Sequence, residues 1–278
     1  MIFWYKYQVN LPRGRVQRAV VLSSVCLMVG GCAQPPVHSV NPPLQSPPQV
    51  TQTPSGRPTP TIVVDAGHGG HDPGTSHFGL KEKYLTLDMA QRLQSYLQSE
   101  GVNVVMTRET DQFVPLSGRP AVANRLRADL FVSVHINANR NRHISGLEVY
   151  YPRESVVASG AQWPPEVRSL EVAIPSTTVR QVLWDLVLWK TRFSSRRLAT
   201  AVCHAMRGEL RVPCRGVKAA RFVVLREAWM PSILVEVGYV TNRAEATHLK
   251  SSDYREAAAA AMGKGILSYL REREHSWI

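Results

Sequence analysis

The stretch Thr61–Lys83, TIVVDAGHGGHDPGTSHFGLKEK, constrains the fold of this 278-residue chain more than any other. The β-branched run Ile62–Val64 reads as a buried strand. It ends in Asp65, Ala66 and Gly67, and His68 then enters a glycine-rich loop. Glu82 follows at the start of a helical pattern in which Leu85, Met89, Leu93, Tyr96 and Leu97 keep one stripe until Gly101 stops it. A strand that passes through a polar loop into a helix predicts α/β architecture. A histidine and a carboxylate, each held at the edge of regular structure, supply two thirds of a zinc site.

The pattern continues to the end of the chain. Further strands are expected at 102–107, 130–136, 146–151, 221–225 and 232–237, beside the first at 61–65. Helices are expected at 82–99, 117–128, 178–190, 194–210 and 253–272, with Pro120 tolerated only in the first turn of the second. Such alternation predicts a mostly parallel, twisted sheet of about six strands with helices on both faces.

The first 60 residues have a different character. Residues 1–31 combine a basic region ending at Arg18 with an apolar stretch too short to span a membrane comfortably, the pattern of an export signal. The stretch closes on Val29-Gly30-Gly31-Cys32, which resembles the bacterial lipobox and predicts lipidation of Cys32; a plain signal peptide is the alternative. Ala33 stands where enterobacterial lipoproteins retained at the inner membrane carry aspartate, so the resemblance implies an outer-membrane lipoprotein on the periplasmic side of a bacterial envelope. Residues 32–60 are rich in proline, glutamine, serine and threonine, and form a tether that cannot bury a core. The globular domain is therefore expected over 61–278.

Net charge is +12, and only four of the positives, Lys6, Arg13, Arg15 and Arg18, lie in the signal. A basic mature chain suits a membrane surface or an anionic cell-wall polymer. Without an arginine-rich arm or interleaved aromatics, nothing points to nucleic acid. In an oxidising compartment Cys203 and Cys214 either pair or remain two buried thiols.

Of nine histidines, His38, His143, His204, His248 and His275 read as surface residues. His135 stands on the strand FVSVHIN, whose alternation puts Ser133, His135 and Asn137 on one face. A histidine near the carboxyl end of a parallel strand points into the crevice where α/β sheets bind ligands. Glu236 interrupts the apolar run ILVEVG, where an unpaired charge costs several kcal/mol, on the order of the desolvation of a buried ion. A salt bridge, a general base of raised pKa and a metal ligand are all compatible with it. Two histidines and a carboxylate hold Zn²⁺ with one position left for water, and a second carboxylate then serves as base. Amide hydrolysis needs these parts.

The ordered series VVDAGHGGHDPGT, GLKEKYLTLDMA, ADLFVSVHINAN, GLEVYY, SSRRLATAV and RGVKAARFVVLREAWMPSILVEVGYVTN resembles the zinc-dependent N-acetylmuramoyl-L-alanine amidases, bacterial cell-wall hydrolases of α/β fold. The resemblance runs from Thr61 to about Leu270. It implies His68, Glu82 and His135 as ligands of one Zn²⁺ and Glu236 as the catalytic glutamate. It implies peptidoglycan as substrate, cut between N-acetylmuramic acid and L-alanine for wall remodelling or daughter-cell separation. His71 and His77 match no ligand position, and Asp65 and Asn137 are candidates to support the ligands from behind. The segment 152–193 falls where some members carry a regulatory insertion that covers the zinc until an activator binds, with Glu154, Glu166 and Glu171 as candidate blocking carboxylates. The wide apolar surface of 178–190 is instead expected to be buried. A zinc carboxypeptidase or endopeptidase of the stem peptide, and a non-catalytic wall-binding lipoprotein, are the competing readings.

Overall fold

A computed structural model describes residues 59–153 and 176–275. The signal segment, Cys32, most of the tether, and Glu154, Glu166 and Glu171 lie outside the described residues. No helix among the described residues is long and apolar enough to cross a membrane.

Six strands form one sheet: β1 (Thr61–Ala66), β4 (Asn103–Met106), β5 (Leu130–Asn137), β6 (Leu147–Pro152), β7 (Cys214–Ala220) and β8 (Ser232–Tyr239). Their order is β4-β1-β5-β8-β6-β7. The strands β4, β1, β5 and β8 are parallel, β6 runs antiparallel to β8, and β7 is parallel to β6. A two-stranded ribbon, β2 (Ser76–His77) with β3 (Leu80–Lys81), bridges β1 to the first helix.

The sheet is covered unequally. One face packs on α1 (Glu82–Ser99), α3 (Thr177–Leu210), α5 (Arg243–Lys250) and α6 (Ser252–His275). Its core joins Val64, Val132, Val134, Ile233 and Val235 to Met89, Leu93, Leu198, Val202 and Met262. The other face carries a smaller cluster in which Val63, Phe131 and Leu234 meet Ala123 of α2 (Gly118–Leu126) and Val224 and Leu225 of α4 (Val223–Arg226). Successive strand residues point to opposite faces, so His135 leaves the sheet on the thinly covered side with Phe131 and Ser133. The chain leaves β1 toward β4 on one side and returns through α2 to β5 on the other. The crevice beyond the carboxyl ends of β1 and β5 is therefore a topological switch point.

Three expectations are corrected. The segment 221–225 is not a strand: β7 comes earlier, and Val223–Arg226 forms one helical turn. Val224 and Leu225 both pack into the one cluster beneath a single sheet face, whereas successive residues of a strand would point to opposite faces. The two helices expected at 178–190 and 194–210 are one, because Thr191-Arg192-Phe193 contains no glycine or proline to break the pattern. The described apolar side chains of 178–190 are not buried: Val179, Val182, Leu183, Leu186, Val187 and Trp189 are exposed, as is Phe193 beyond them. Among the described side chains of α3, burial begins at Ser195, and Leu198, Val202 and Met206 enter the core.

Candidate metal centre

His68, Glu82 and His135 come together from the end of β1, the start of α1 and the end of β5. Each offers a ligand atom, and these atoms lie within 4.8 Å of one another. His68 Nε2 is 3.1 Å and His135 Nδ1 3.0 Å from Glu82 Oε1. Ligand atoms bound tetrahedrally to Zn²⁺ at 2.0–2.1 Å stand about 3.3 Å apart, close to this spacing. Glu82 Oε2 is turned away and accepts from the Thr75 backbone N–H at 2.8 Å, which fixes Oε1 toward the histidines.

The charge balance also fits a cation. Both nitrogens of His68 face carboxylates, Nδ1 meeting Asp72 Oδ2 at 2.8 Å and Nε2 meeting Glu82. A neutral imidazole has one N–H and can donate to only one of them. The second contact calls for a proton or for a metal ion beside Nε2, and the two compete. Burial opposes charge on His68, yet the Asp72 and Glu82 carboxylates raise its pKa to about 10. Burial likewise opposes charge on Glu82, but hydrogen bonds from His135 and His68 hold it far below the usual carboxylate range. The donor set of two imidazoles and one ionised carboxylate suits Zn²⁺.

The loop that presents His68 is shaped around the ligands. His68 itself has φ of 60°, a left-handed conformation that costs a non-glycine residue about 1–3 kcal/mol. Two glycines leave room for the rings and the carboxylate. A Cβ on Gly67 would stand 2.4 Å from Cε1 of His135, and one on Gly74 would stand 2.5 Å from Glu82 Oε2. Two buried arginines hold the loop from below. Arg108 donates to the carbonyls of Ala66, Gly67 and Lys83, and Arg119 donates to those of Ala66 and His68.

Glu236 lies on β8 in register with His135 of β5. It is half-buried, but its Oε2 is sealed without a hydrogen-bond partner, the only such side-chain atom among the described residues. Burial raises its pKa well above the usual range, and the nearby charge of Glu82 adds to the effect. No salt bridge to it is present among the described residues. A proton-accepting carboxyl group held beside a metal site has this character.

The structure places the remaining candidates less directly. Asp65 is fully buried and binds Thr107, Ser133 and Arg119, and Arg119 links it to the His68 carbonyl. Asn137 reaches Glu148 at 3.4 Å and caps the Ala138 N–H. His71 packs at a tilt against Phe113 and His77 meets Phe78 edge to face, and neither belongs to the ligand cluster. Cys203 and Cys214 form a disulfide that ties α3 to β7. Sequence reasoning missed Asp72, although it lies in the GGHDPG loop, and it missed Arg108, Arg119 and Glu148. Glu148 is buried on β6 in register with Glu236, and it accepts from Lys218 Nζ and the Tyr150 hydroxyl.

A family model described as N-acetylmuramoyl-L-alanine amidase (Amidase_3) matches residues 62–268. The N-acetylmuramoyl-L-alanine amidase AmiC of Neisseria meningitidis serogroup B is 36% identical over 220 residues, covering 76% of this chain and 53% of that protein. AmiA of Escherichia coli K12 is 33% identical over 218 residues, 75% of each chain. This chain thus spans about half the length of the Neisseria relative. The solved structure of AmiC2 of Nostoc punctiforme superposes with a TM-score of 0.61 at 34% identity, covering 78% of this chain and 99% of that one. The match runs from β1 into α6 and so includes His68, Glu82, His135 and Glu236, and the chain belongs to the N-acetylmuramoyl-L-alanine amidase family.

Proposed function

We propose that the protein is a zinc-dependent hydrolase of the amide between the lactyl group of N-acetylmuramic acid and L-alanine in peptidoglycan. The observation that carries this reading is the convergence of His68 Nε2, Glu82 Oε1 and His135 Nδ1 beside a strand on which Glu236 is the register partner of His135. When bound, Zn²⁺ supplies the Lewis acidity that activates water near neutral pH. His68 is oriented by Asp72, and Glu82 is fixed by Thr75 and the Ile136 N–H. Glu236 takes the proton from the attacking water and returns it to the leaving amine of L-alanine. Family membership supports the choice of this amide over one inside the stem peptide.

The same reading places the protein outside the cytoplasm, lipid-anchored at Cys32 and held by the tether at the outer membrane, in wall remodelling or daughter-cell separation. The export-type segment and the sequence Val29-Gly30-Gly31-Cys32 support it. An activator acting on 152–193 also belongs to this reading, supported by the exposed apolar row from Val179 to Phe193. Mass spectrometry of digested muropeptides, with and without chelator, tests the reaction. Whole stem peptides should be released from intact glycan only when zinc is present. Products shortened within the stem would favour a carboxypeptidase or endopeptidase.

A further inference from the structure

We infer that Lys83 and Asp111 act as one ion pair that positions the His68 loop, and that this strap sets how tightly the centre holds its metal. This inference rests on the amidase reading above and adds two positioning residues to the same site.

The starting observation is a buried lysine. Lysine is seldom buried unless its charge is paired, and the Lys83 side chain is only 10% exposed. Its Nζ donates to Asp111 Oδ2 at 2.6 Å and to the Gly70 carbonyl at 2.8 Å, and it lies 4.8 Å from the centroid of the Tyr84 ring. Asp111 uses its other oxygen, Oδ1, to accept from the Gly70 N–H at 2.8 Å. The pair therefore holds both backbone groups of one glycine. Gly70 lies midway between the ligand His68 and Asp72. The turn from Gly69 to Asp72 closes on itself through reciprocal backbone bonds of 3.0 and 3.1 Å. Among the described hydrogen bonds, those at Gly70 are the ones that tie this turn to the rest of the domain. The connection from β4 to α2 lies directly against it. A Cβ on Gly69 would stand 2.2 Å from the Gln112 carbonyl oxygen, and one on Gly70 would stand 2.7 Å from the Phe113 nitrogen.

Lys83 also follows the ligand Glu82 directly on α1. One side chain thus spans two ligand-bearing segments, from the start of α1 to the turn after His68. That turn carries Asp72, whose Oδ2 meets His68 Nδ1 at 2.8 Å. A loop with glycine at 67, 69, 70 and 74 has little conformational preference of its own, so its contacts must fix its shape. Releasing Gly70 lets Asp72 withdraw. The His68 ring then loses the contact that orients Nε2 toward the metal position. Arg108 and Arg119 hold the carbonyls of Ala66, Gly67 and His68, before the turn, and do not replace this support.

The test titrates the full-length, metal-free protein with Zn²⁺ against a competing dye, and repeats the titration with Co²⁺, whose visible absorption reports the geometry of the bound ligands. Lys83→Met and Asp111→Asn should each weaken zinc binding by about 10–100-fold, the usual worth of a residue that orients a metal ligand, and should change the Co²⁺ spectrum. Asp111→Asn keeps an acceptor for the Gly70 N–H and removes the charge. The double variant should bind no more weakly than the weaker of the two single variants, because either loss opens the same pair. Lys83→Arg, which keeps the charge, should bind zinc more tightly than Lys83→Met. Gly79→Ala, which strains the backbone outside this turn, should match the wild type. Affinity and spectrum unchanged in both single variants, losses that multiply in the double variant, Lys83→Arg no better than Lys83→Met, or an equal loss in Gly79→Ala each overturns this inference. Zinc-dependent hydrolysis by the wild type then leaves the amidase reading standing. A wild type that binds no zinc overturns the amidase reading and the strap with it.

Discussion

His135 of β5 and Glu236 of β8 are register partners on adjacent parallel strands, so a candidate metal ligand and a candidate base leave the sheet on the same face. Glu236→Ala should lower kcat by about 10²–10⁴-fold, the usual worth of a general base, with zinc content unchanged. Rates and metal content measured on the same preparation check this. Loss of zinc together with activity would make Glu236 a ligand, and unchanged activity would remove it from the chemistry.

Gly67 stands against the face of the His135 ring, where a Cβ would come within 2.4–2.7 Å of Cε1, Nε2 and Nδ1. Gly67→Ala should displace the ring and weaken zinc binding by at least about tenfold, as errors of about an ångström in a metal site do. Gly79 provides the comparison: its φ is +78° but a Cβ there meets nothing within 4 Å. Gly79→Ala should cost about 1–2 kcal/mol of stability through backbone strain and leave zinc affinity intact. Competition titration with a zinc-binding dye compares the two. Equal affinities for both variants would count against the packing argument.

Arg108 is buried, and its guanidinium serves the carbonyls of Ala66, Gly67, Lys83 and Thr110. Burial, with Arg119 close by, holds its pKa below the ordinary arginine value. Arg108→Met keeps most of the stem volume but leaves buried carbonyls without donors, at about 1–3 kcal/mol each. Urea unfolding should show a loss of at least about 3 kcal/mol. A variant as stable as the wild type would mean that the loop is held by other contacts.

Asp88 joins α1 to α6 by accepting from Arg92 Nε at 2.9 Å and Arg255 Nε at 2.5 Å. Burial opposes its charge, but the two guanidiniums hold its pKa below the usual carboxylate value. A carboxylate depressed in the folded state binds its proton more readily when unfolded. Its contribution is therefore fully present well above the unfolded pKa of about 3.9 and is lost as pH falls through the lower folded value. Asp88→Asn should be less stable than the wild type at neutral pH, and the gap should close as the pH drops below about 4. Urea midpoints across a pH series measure the gap, and two parallel curves would contradict the assignment.

The central strands were legible because a buried parallel strand reads as a continuous apolar run. Against such a run His135 and Glu236 stand out, and the strand period gives their facing. β7 was not legible: CRGVKAA is a polar edge strand without apolar alternation, while the neighbouring β-branched RFVVL imitates a strand but packs as a helical turn. The supports of the site were hidden for a different reason. Arg108 and Arg119 are two among many basic residues, and only the tertiary fold turns them inward onto the carbonyls of the His68 loop. Asp72 lies four residues from His68, but no local pattern told which of Asp65 and Asp72 would reach the ring. The exposed start of α3 misled because apolar composition reports what a helix can bury, and here the helix extends past the sheet.

The central claim is that His68, Glu82 and His135 hold the one zinc ion on which amide hydrolysis depends. A chelator titration that follows zinc content and hydrolysis of peptidoglycan in the same samples tests it most directly. The account predicts that both fall together to zero, and that one equivalent of Zn²⁺ restores the wild type but not Glu82→Ala or His135→Ala. Hydrolysis that persists on the metal-free protein, or full restoration of those variants by one equivalent, would contradict it.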